Sequence, residues 1–416
     1  MVGGGFSPRR GDFSGRLRGV SQPRALVVGQ SGGPTAVINR SLAGIIRAAL
    51  AAEDAIGPII GLRHGIEGLL NSQLADLRQQ SPGFLDELEE TPSSILGSCR
   101  YRLADEDLDR ALEELRALNA GIFLYIGGND SADTTHRLAM AAQAAGHDLV
   151  CIGVPKTVDN DLVGMDHSPG FGSAARFLAL AAMEASRDTE AMRRSDPVKI
   201  LEVAGRHAGW LAAAAALGRR HPDQGPHLVY VPERPVSAES ILQDVAETHK
   251  AYGHVVMVLS ENQPGTDGHV LGSGGQPRYV DAFNHAYYDS PAEHLVGQIR
   301  GQLGLRARWE KYGTLQRMSI SCRSETDAAE ALAVGREAVR LALSGATDQM
   351  AVVQRVSDAP YQWVLSSTPL ATVANEQRLL PPEMVPEPRG GPTPAFRRYA
   401  EPLLGAPLPQ HARLGG

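Results

Sequence analysis

The strongest constraint on the fold is a unit that recurs along the chain: a short, continuously apolar run, a glycine-rich polar loop, then a helical pattern. It opens with residues 24–30 (RALVVGQ), Ser31-Gly32-Gly33-Pro34-Thr35, and an apolar-periodic helix over about 36–50. It returns at 121–127 (GIFLYIG) before Gly128-Asn129-Asp130-Ser131, and at 148–154 before Pro155-Lys156-Thr157-Val158-Asp159-Asn160-Asp161. Strand 198–203 meets Ala204-Gly205-Arg206-His207-Ala208-Gly209, while runs 227–231 and 254–259 end at Pro232-Glu233-Arg234-Pro235 and Ser260-Glu261-Asn262. Such runs alternating with helices predict an α/β sheet. Polar residues at every strand end predict ligands along its carboxyl edge.

Chemistry converges on the loop 155–161. In an extended segment Asp159, Asp161 and Thr157 leave one face, placing two carboxylates and a hydroxyl in one small volume. One carboxylate can then serve as a general base while the other holds a metal or shapes its neighbour's pKa. Lys156 adds a compact cation. The combination suits phosphoryl transfer, which needs charge neutralised and a hydroxyl deprotonated; an Asp/Asn-rich turn after a strand is the plain alternative. The Gly-rich loops at 31–35 and 127–131 expose backbone N–H groups at helix starts and suit phosphate. Neither loop has Walker or dinucleotide spacing. Asp130 or Ser131 equally suits a helix cap; Arg100 and Arg206 suit an anion, and His207 a structural role.

A 416-residue chain with 43% hydrophobic residues has room for two domains. The formal charge of −7 opposes general nucleic-acid or anionic-membrane binding and favours a small partner. Cys99, Cys151 and Cys322 are isolated, which predicts a reducing compartment, no disulfide and no structural zinc. No apolar run reaches membrane-spanning length and residues 1–22 lack a signal-peptide centre, so a cytoplasmic protein is expected. Lysine is confined to Lys156, Lys199, Lys250 and Lys311 in a chain rich in arginine. A lysine that persists in a polar loop is notable because an ammonium acts as a point charge, which a guanidinium fork does not replace.

In order, SGGPTAVIN (31–39), GSCR (97–100), GGNDS (127–131), PKTVDND (155–161), AGRHAG (204–209), SEN (260–262) and YGTLQR (312–317) resemble the phosphofructokinase family from about 25 to 356. Asp130 and Lys156 resemble its pyrophosphate-dependent branch, since ATP-dependent members typically carry glycine at both positions. A carboxylate at 130 would crowd and repel a nucleotide's α-phosphate, and Lys156 would neutralise the shorter pyrophosphate. The resemblance implies two Rossmann-like three-layer domains with mainly parallel sheets and the active site in the cleft between them. It implies Asp159 as the base for the 1-hydroxyl of fructose 6-phosphate, with Lys156 and Arg100 as catalytic cations. Gly33, Gly128, Asp130 and Ser131 are implied to bind the donor. Thr157, Asp161, Gly205, Arg206, Glu261, Arg308 and Arg317 are implied to bind the sugar phosphate, with Arg308 reaching from a neighbouring subunit of a homodimer or homotetramer. Mg²⁺ is the implied cofactor, with Asp130 as its ligand.

Three positions depart from the family pattern. Asn129 replaces the usual Asp, which shifts metal binding toward Asp130 and the phosphates. Ala204 replaces a Met, and Thr314 a phosphate-binding His, which leaves acceptors such as sedoheptulose 7-phosphate open. The expected domains are a disordered arm over 1–22, a donor domain over 23–165 with about 315–370, a sugar-phosphate domain over 166–314, and a peripheral tail over 371–416. The competing functions are an ATP-dependent phosphofructokinase and a non-catalytic sugar-phosphate-binding subunit.

Overall fold

The computed structural model describes residues 23–281 and 286–412; the expected arm over 1–22 lies outside the described residues. In chain order the strands are β1 (Ala25–Gln30), β2 (Ile59–Leu62), β3 (Leu74–Asp76), β4 (Ala120–Gly127), β5 (Val150–Pro155), β6 (Val198–Val203), β7 (Leu228–Tyr230) and β8 (Val255–Ser260). There follow β9 (Tyr279–Val280), β10 (Ala286–Tyr287), β11 (Ala307–Lys311), β12 (Gln349–Asp358) and β13 (Tyr361–Pro369). They form a seven-stranded sheet in the order β13-β12-β5-β4-β1-β2-β3, a four-stranded sheet β11-β6-β8-β7, and the small hairpin β9-β10. The four-stranded sheet is parallel throughout, and the larger one is parallel except at its edges, where β3 and β13 run antiparallel.

The unbroken apolar runs are explained by burial on both faces. Leu26, Val28, Leu124, Ile126, Ile152 and Val154 pack on one side against helices Ile38–Ala51 and Glu325–Leu343. Val27, Phe123, Tyr125 and Cys151, the alternate residues, face helices Gly65–Leu70, Asp105–Ala117 and Asn129–Ala144 on the other. Helices 38–51 and 325–343 cross closely enough that a Cβ at Gly44 or Gly335 would strike the backbone of the facing helix. The smaller sheet repeats the plan. Leu201, Val203, Val229 and Val258 meet helices Phe171–Ala191 and Trp210–Ala215, while Ile200, Tyr230, Met257 and Leu259 meet helices Ala238–Tyr252 and Pro291–Gln298. Each sheet is thus the centre of three layers, as expected.

Two expectations need correction. The tail is not peripheral: Phe396, Tyr399, Leu403 and Leu404 are buried in the core of the smaller sheet, around Phe171 and Trp210. Its proline and glycine content reads as loop, but the apolar side chains between them fill the layer that short helix 210–215 leaves uncovered. Residues 307–311, whose Arg308 and Lys311 read in the sequence as part of a basic cluster with Arg306 and Arg317, form the edge strand β11, paired in register with β6 from Ala307↔Val198 to Lys311↔Glu202. An edge strand can carry charge on its solvent face.

Candidate active site

One crevice lies at the carboxyl ends of β1, β4, β5 and β6. It is lined by Ser31, Gly32 and Gly33; by Gly128 to Ser131; by Lys156, Thr157, Asp159 and Asp161; and by Arg100, Arg206 and Gln377. The expected Gly33, Arg100, Gly128, Asp130, Ser131, Lys156, Thr157, Asp159, Asp161 and Arg206 therefore come together.

The loops interlock through their backbones. Ser31 N donates to Ile126 O at 2.9 Å, and Lys156 N to Gly127 O at 3.0 Å, joining the three loops of the larger sheet. Gly32 sits at φ +74°, and a Cβ there would lie 3.0 Å from Lys156 Nζ. At Gly33 a Cβ would lie 2.7 Å from Arg317 Nη1, so the glycine pair lets the loop pass close to two cations that a side chain there would displace. Helix Asn129–Ala144 starts at the crevice behind an N-cap glycine, Gly128, with its Asp130 N–H donating to Asn129 Oδ1 at 2.9 Å, whereas helices 238–252, 291–298 and 325–343 are each capped by a serine. The positive end of helix 129–144 is thereby left for an anion.

The segment carrying the acids is not extended as expected. Asn160 takes the left-handed conformation (φ 55°), and its side chain fixes the turn by accepting from Ser168 N at 3.1 Å and donating to the Tyr399 hydroxyl at 2.8 Å. Asparagine tolerates this region better than most residues. Thr157 Oγ1 accepts from Asp159 N at 3.1 Å, and Thr157 N donates to Ser168 Oγ at 3.0 Å. Both carboxylates still line the crevice.

Burial, together with the Asp161 and Glu261 carboxylates, pushes the Asp159 carboxyl up to about 7. Burial raises Asp161 as well. Burial and the neighbouring Arg317 lower Lys156 to about 8. Its Nζ donates to the Gly33 carbonyl at 2.9 Å. Asp159 Oδ1 and Arg206 Nη1 are buried and have no hydrogen-bond partner among the described residues. An acid and a base of nearly matched proton affinity, beside unsatisfied groups, is an arrangement built for a reacting ligand.

Of the remaining expected residues, Arg317 borders the crevice through Gly33, and its carbonyl accepts from Ala36 N at 2.9 Å. Glu261 stands beside Lys311, 3.5 Å from its Nζ, and Gly205 precedes Arg206 with its carbonyl bonded by Ser260 Oγ. Arg308 is elsewhere: on edge strand β11 it pairs with Asp196 at 2.7 Å, outside the crevice of its own chain. Three contributors were missed. Gln377 comes from the supposed tail. Asp281, just after β9, and Tyr287, in β10, bind Arg100 Nη1 at 2.5 and 2.6 Å, and Arg206 lies 5.6 Å from the Tyr287 ring centre. No spacing or periodicity marks these residues; the Tyr287-Tyr288-Asp289 run is the sole compositional hint.

Two α/β layers whose strand ends gather glycine loops, cations and paired acids define a protein that handles phosphate groups. The chain belongs to the phosphofructokinase family, whose profile matches residues 25–342. It is 41% identical over 381 residues to the pyrophosphate–fructose 6-phosphate 1-phosphotransferase of Halomonas elongata, covering 90% of each chain. It is 41% identical over 390 residues to the enzyme of the same name from Xanthomonas campestris, covering 92% of each. The crystal structure of the pyrophosphate-dependent phosphofructokinase from Nitrosospira multiformis superposes with a TM-score of 0.84 at 35% identity, covering 94% of both chains.

Proposed function

We propose that this chain moves a phosphoryl group from pyrophosphate to the 1-hydroxyl of fructose 6-phosphate, giving fructose 1,6-bisphosphate and phosphate, in a reaction that runs in both directions. The observation that carries this reading is Asp159. It is a partly buried carboxylate whose Oδ1 is buried and unbonded among the described residues, with a pKa pushed up to about 7, opening on a cationic crevice.

Asp159 accepts the proton of the 1-hydroxyl as that oxygen bonds to phosphorus, and the anhydride bond breaks to release phosphate. Lys156 exchanges the Gly33 carbonyl for a donor oxygen. Arg100 and the amides of Gly33, Gly128 and Ser131 take up the charge of the transferred group. Thr157, Asp161, Gly205, Arg206, Glu261 and Arg317 hold the sugar phosphate. Mg²⁺, when bound, neutralises the phosphoanhydride oxygens, and Asp130 is the side chain assigned to it. The described residues contain no cluster of three or more His, Cys, Asp or Glu able to cage a metal. That fits an ion held by one or two carboxylates and the substrate's own phosphates.

The pairing of Asp130 with Lys156 supports pyrophosphate over ATP, since the carboxylate opposes a nucleotide's α-phosphate while the ammonium serves a short dianion. On this reading residues 23–165 with about 315–370 serve the donor and 166–314 the acceptor. Arg308, half exposed on an edge strand, reaches the sugar phosphate of a neighbouring copy in a homodimer or homotetramer. A cytoplasmic location belongs to the same reading; no helix among the described residues is long and apolar enough to cross a membrane.

The test is turnover of fructose 6-phosphate with Mg²⁺ and either pyrophosphate or ATP. Activity with pyrophosphate, lost by about 10²–10⁴ in kcat for Asp159→Asn, is the expected result. Preference for ATP would overturn the donor assignment. Asp130→Gly is expected to move the donor ratio at least about tenfold toward ATP, because it removes a like-charge clash.

A further inference from the structure

Two carboxylates two residues apart are costly to bury, and the turn that carries them would lower its free energy by swinging toward water. Something must hold it in place. Behind the turn, on the side away from the crevice, lies Arg378, a residue of the segment that its sequence marks as tail. Its guanidinium donates from Nη1 to Met165 O at 3.0 Å and to Asp166 O at 2.5 Å. From Nε and Nη2 it donates to Asn160 O at 3.3 and 3.2 Å, and from Nη2 to the Tyr399 hydroxyl at 3.1 Å. Its backbone N donates to Asp161 O at 2.7 Å. The carbonyls of Asn160 and Asp161 in the turn and of Met165 and Asp166 after it thus converge on one residue.

Arg378 is itself fixed. Its guanidinium lies 4.5 Å from the centre of the Trp210 ring, and Trp210 Nε1 donates to its carbonyl at 3.2 Å. Tyr399 closes the arrangement: its hydroxyl accepts from Asn160 Nδ2 and donates to Asp166 O, both at 2.8 Å. On either side, Asn375 Nδ2 donates to Asp133 Oδ1 at 3.0 Å and Leu380 N to Glu233 Oε1 at 2.8 Å. The segment therefore spans from the donor-loop helix to the smaller sheet, crossing the turn between them.

We propose that Arg378 is a positioning residue for phosphoryl transfer: it holds Asp159 and Asp161 in the crevice by bracing the backbone of their turn, and it touches no reacting atom. Only a planar fork of donors reaches the Asn160 carbonyl in the turn and the Met165 and Asp166 carbonyls after it simultaneously; a lysine ammonium reaches one of these groups at a time. The inference rests on Asp159 being the base.

The test compares Arg378→Ala, Arg378→Lys, Tyr399→Phe and Asp159→Asn with the wild type. The full chain is assayed with Mg²⁺, fructose 6-phosphate and whichever of pyrophosphate or ATP the wild type uses, well below each variant's melting temperature. Misplacing the base by an ångström predicts that Arg378→Ala loses about 10- to 100-fold in kcat while both KM values stay within about threefold. Low-millimolar guanidinium should restore at least about a third of the lost rate to Arg378→Ala and leave the wild type unchanged, whereas Arg378→Lys should remain about tenfold slow. Tyr399→Phe, which keeps the ring in the core, should lose about three- to tenfold in kcat at constant KM; it stands in if Arg378→Ala does not fold. Wild-type kcat in the folded Arg378 and Tyr399 variants, or a loss that guanidinium does not restore, overturns the bracing role. Should Asp159→Asn keep the wild-type rate, the base assignment falls and the bracing role with it. A dead Asp159→Asn beside fully active Arg378 variants removes the bracing role alone.

Discussion

The two walls of the crevice hold their cations in different ways. On the wall built from the seven-stranded sheet, Lys156 is buried and its Nζ donates to a neutral partner, the Gly33 carbonyl, at 2.9 Å. On the side of the four-stranded sheet, beyond the crevice lining, Lys311 is tied to Glu202 at 2.7 Å and to Glu261 at 3.5 Å, and Arg308 to Asp196 at 2.7 Å. A carbonyl yields its cation to a phosphate at small electrostatic cost, whereas a carboxylate competes for it. Lys156 is set for an anion before one arrives, whereas Arg100, paired with Asp281 at 2.5 Å, and the cations on the side of the four-stranded sheet have to trade partners. Arg206 is the exception on that side, with its buried Nη1 unbonded among the described residues. It lines the crevice beside the acids.

The sharpest way to break this comparison is Lys156→Met. A preset Lys156 predicts a loss of about 10²–10³ in kcat/KM for the phosphoryl donor, with the acceptor KM within about threefold. Equal losses for both substrates in steady-state kinetics would show that the walls do not act separately.

The pH dependence sharpens it further. The free enzyme needs Asp159 deprotonated and Lys156 charged, so kcat/KM should form a narrow bell with limbs near about 7 and about 8. Asp159→Asn should erase the acid limb from the residual activity. Stability carries the opposite sign. With the Asp159 pKa raised from 3.8 to about 7 on folding, the folded chain holds an extra proton between those values. Stability is therefore lost as pH rises through that window and stays low above it. Asp159→Asn should accordingly stabilise the protein at pH 8, by on the order of 1–3 kcal/mol, and do little at pH 4. Denaturant melts at the two pH values check it.

The smallest effect belongs to Arg308→Ala. Arg308 is half exposed, and its buried partner Asp196 keeps a second ion pair, to Arg306 at 2.8 Å, so the stability loss should be about 1 kcal/mol. If a neighbouring copy uses this residue, the acceptor KM should rise several-fold at unchanged donor KM. A rise in donor KM instead would blur the distinction between the walls.

How much of this was legible follows from the same difference in burial. Strands β1, β4, β5, β6 and β8 announce themselves because both faces are covered, and the glycine loops after them announce themselves because close approach to a ligand or cation excludes a Cβ. Edge strands β11 and β13 expose one face, so ARWEK reads as a charge cluster and residues 361–369 carry a weaker alternation. Asp159 and Lys156 were visible as residue types in a loop. Their company was not. Arg378 acts on backbone carbonyls, which no side-chain pattern encodes, and Gln377, Asp281 and Tyr287 arrive from segments distant in the chain. The left-handed Asn160 was hidden for a related reason: the choice between an extended loop and a turn is made by Ser168 and Tyr399, not by its immediate neighbours.

The path of the chain bears on how the protein is made. The seven-stranded sheet begins with β1 at Ala25 but takes β12 and β13 from residues 349–369, after all of the four-stranded sheet has been laid down. The core of that second sheet in turn waits for Phe396 to Leu404. Neither half can close while residues beyond about 350 are still inside the ribosome, and contacts this distant in sequence form slowly. The catalytic turn receives its brace from residue 378, so the nascent chain carries its two acids without the element that buries them. The site is therefore complete only when synthesis is nearly finished.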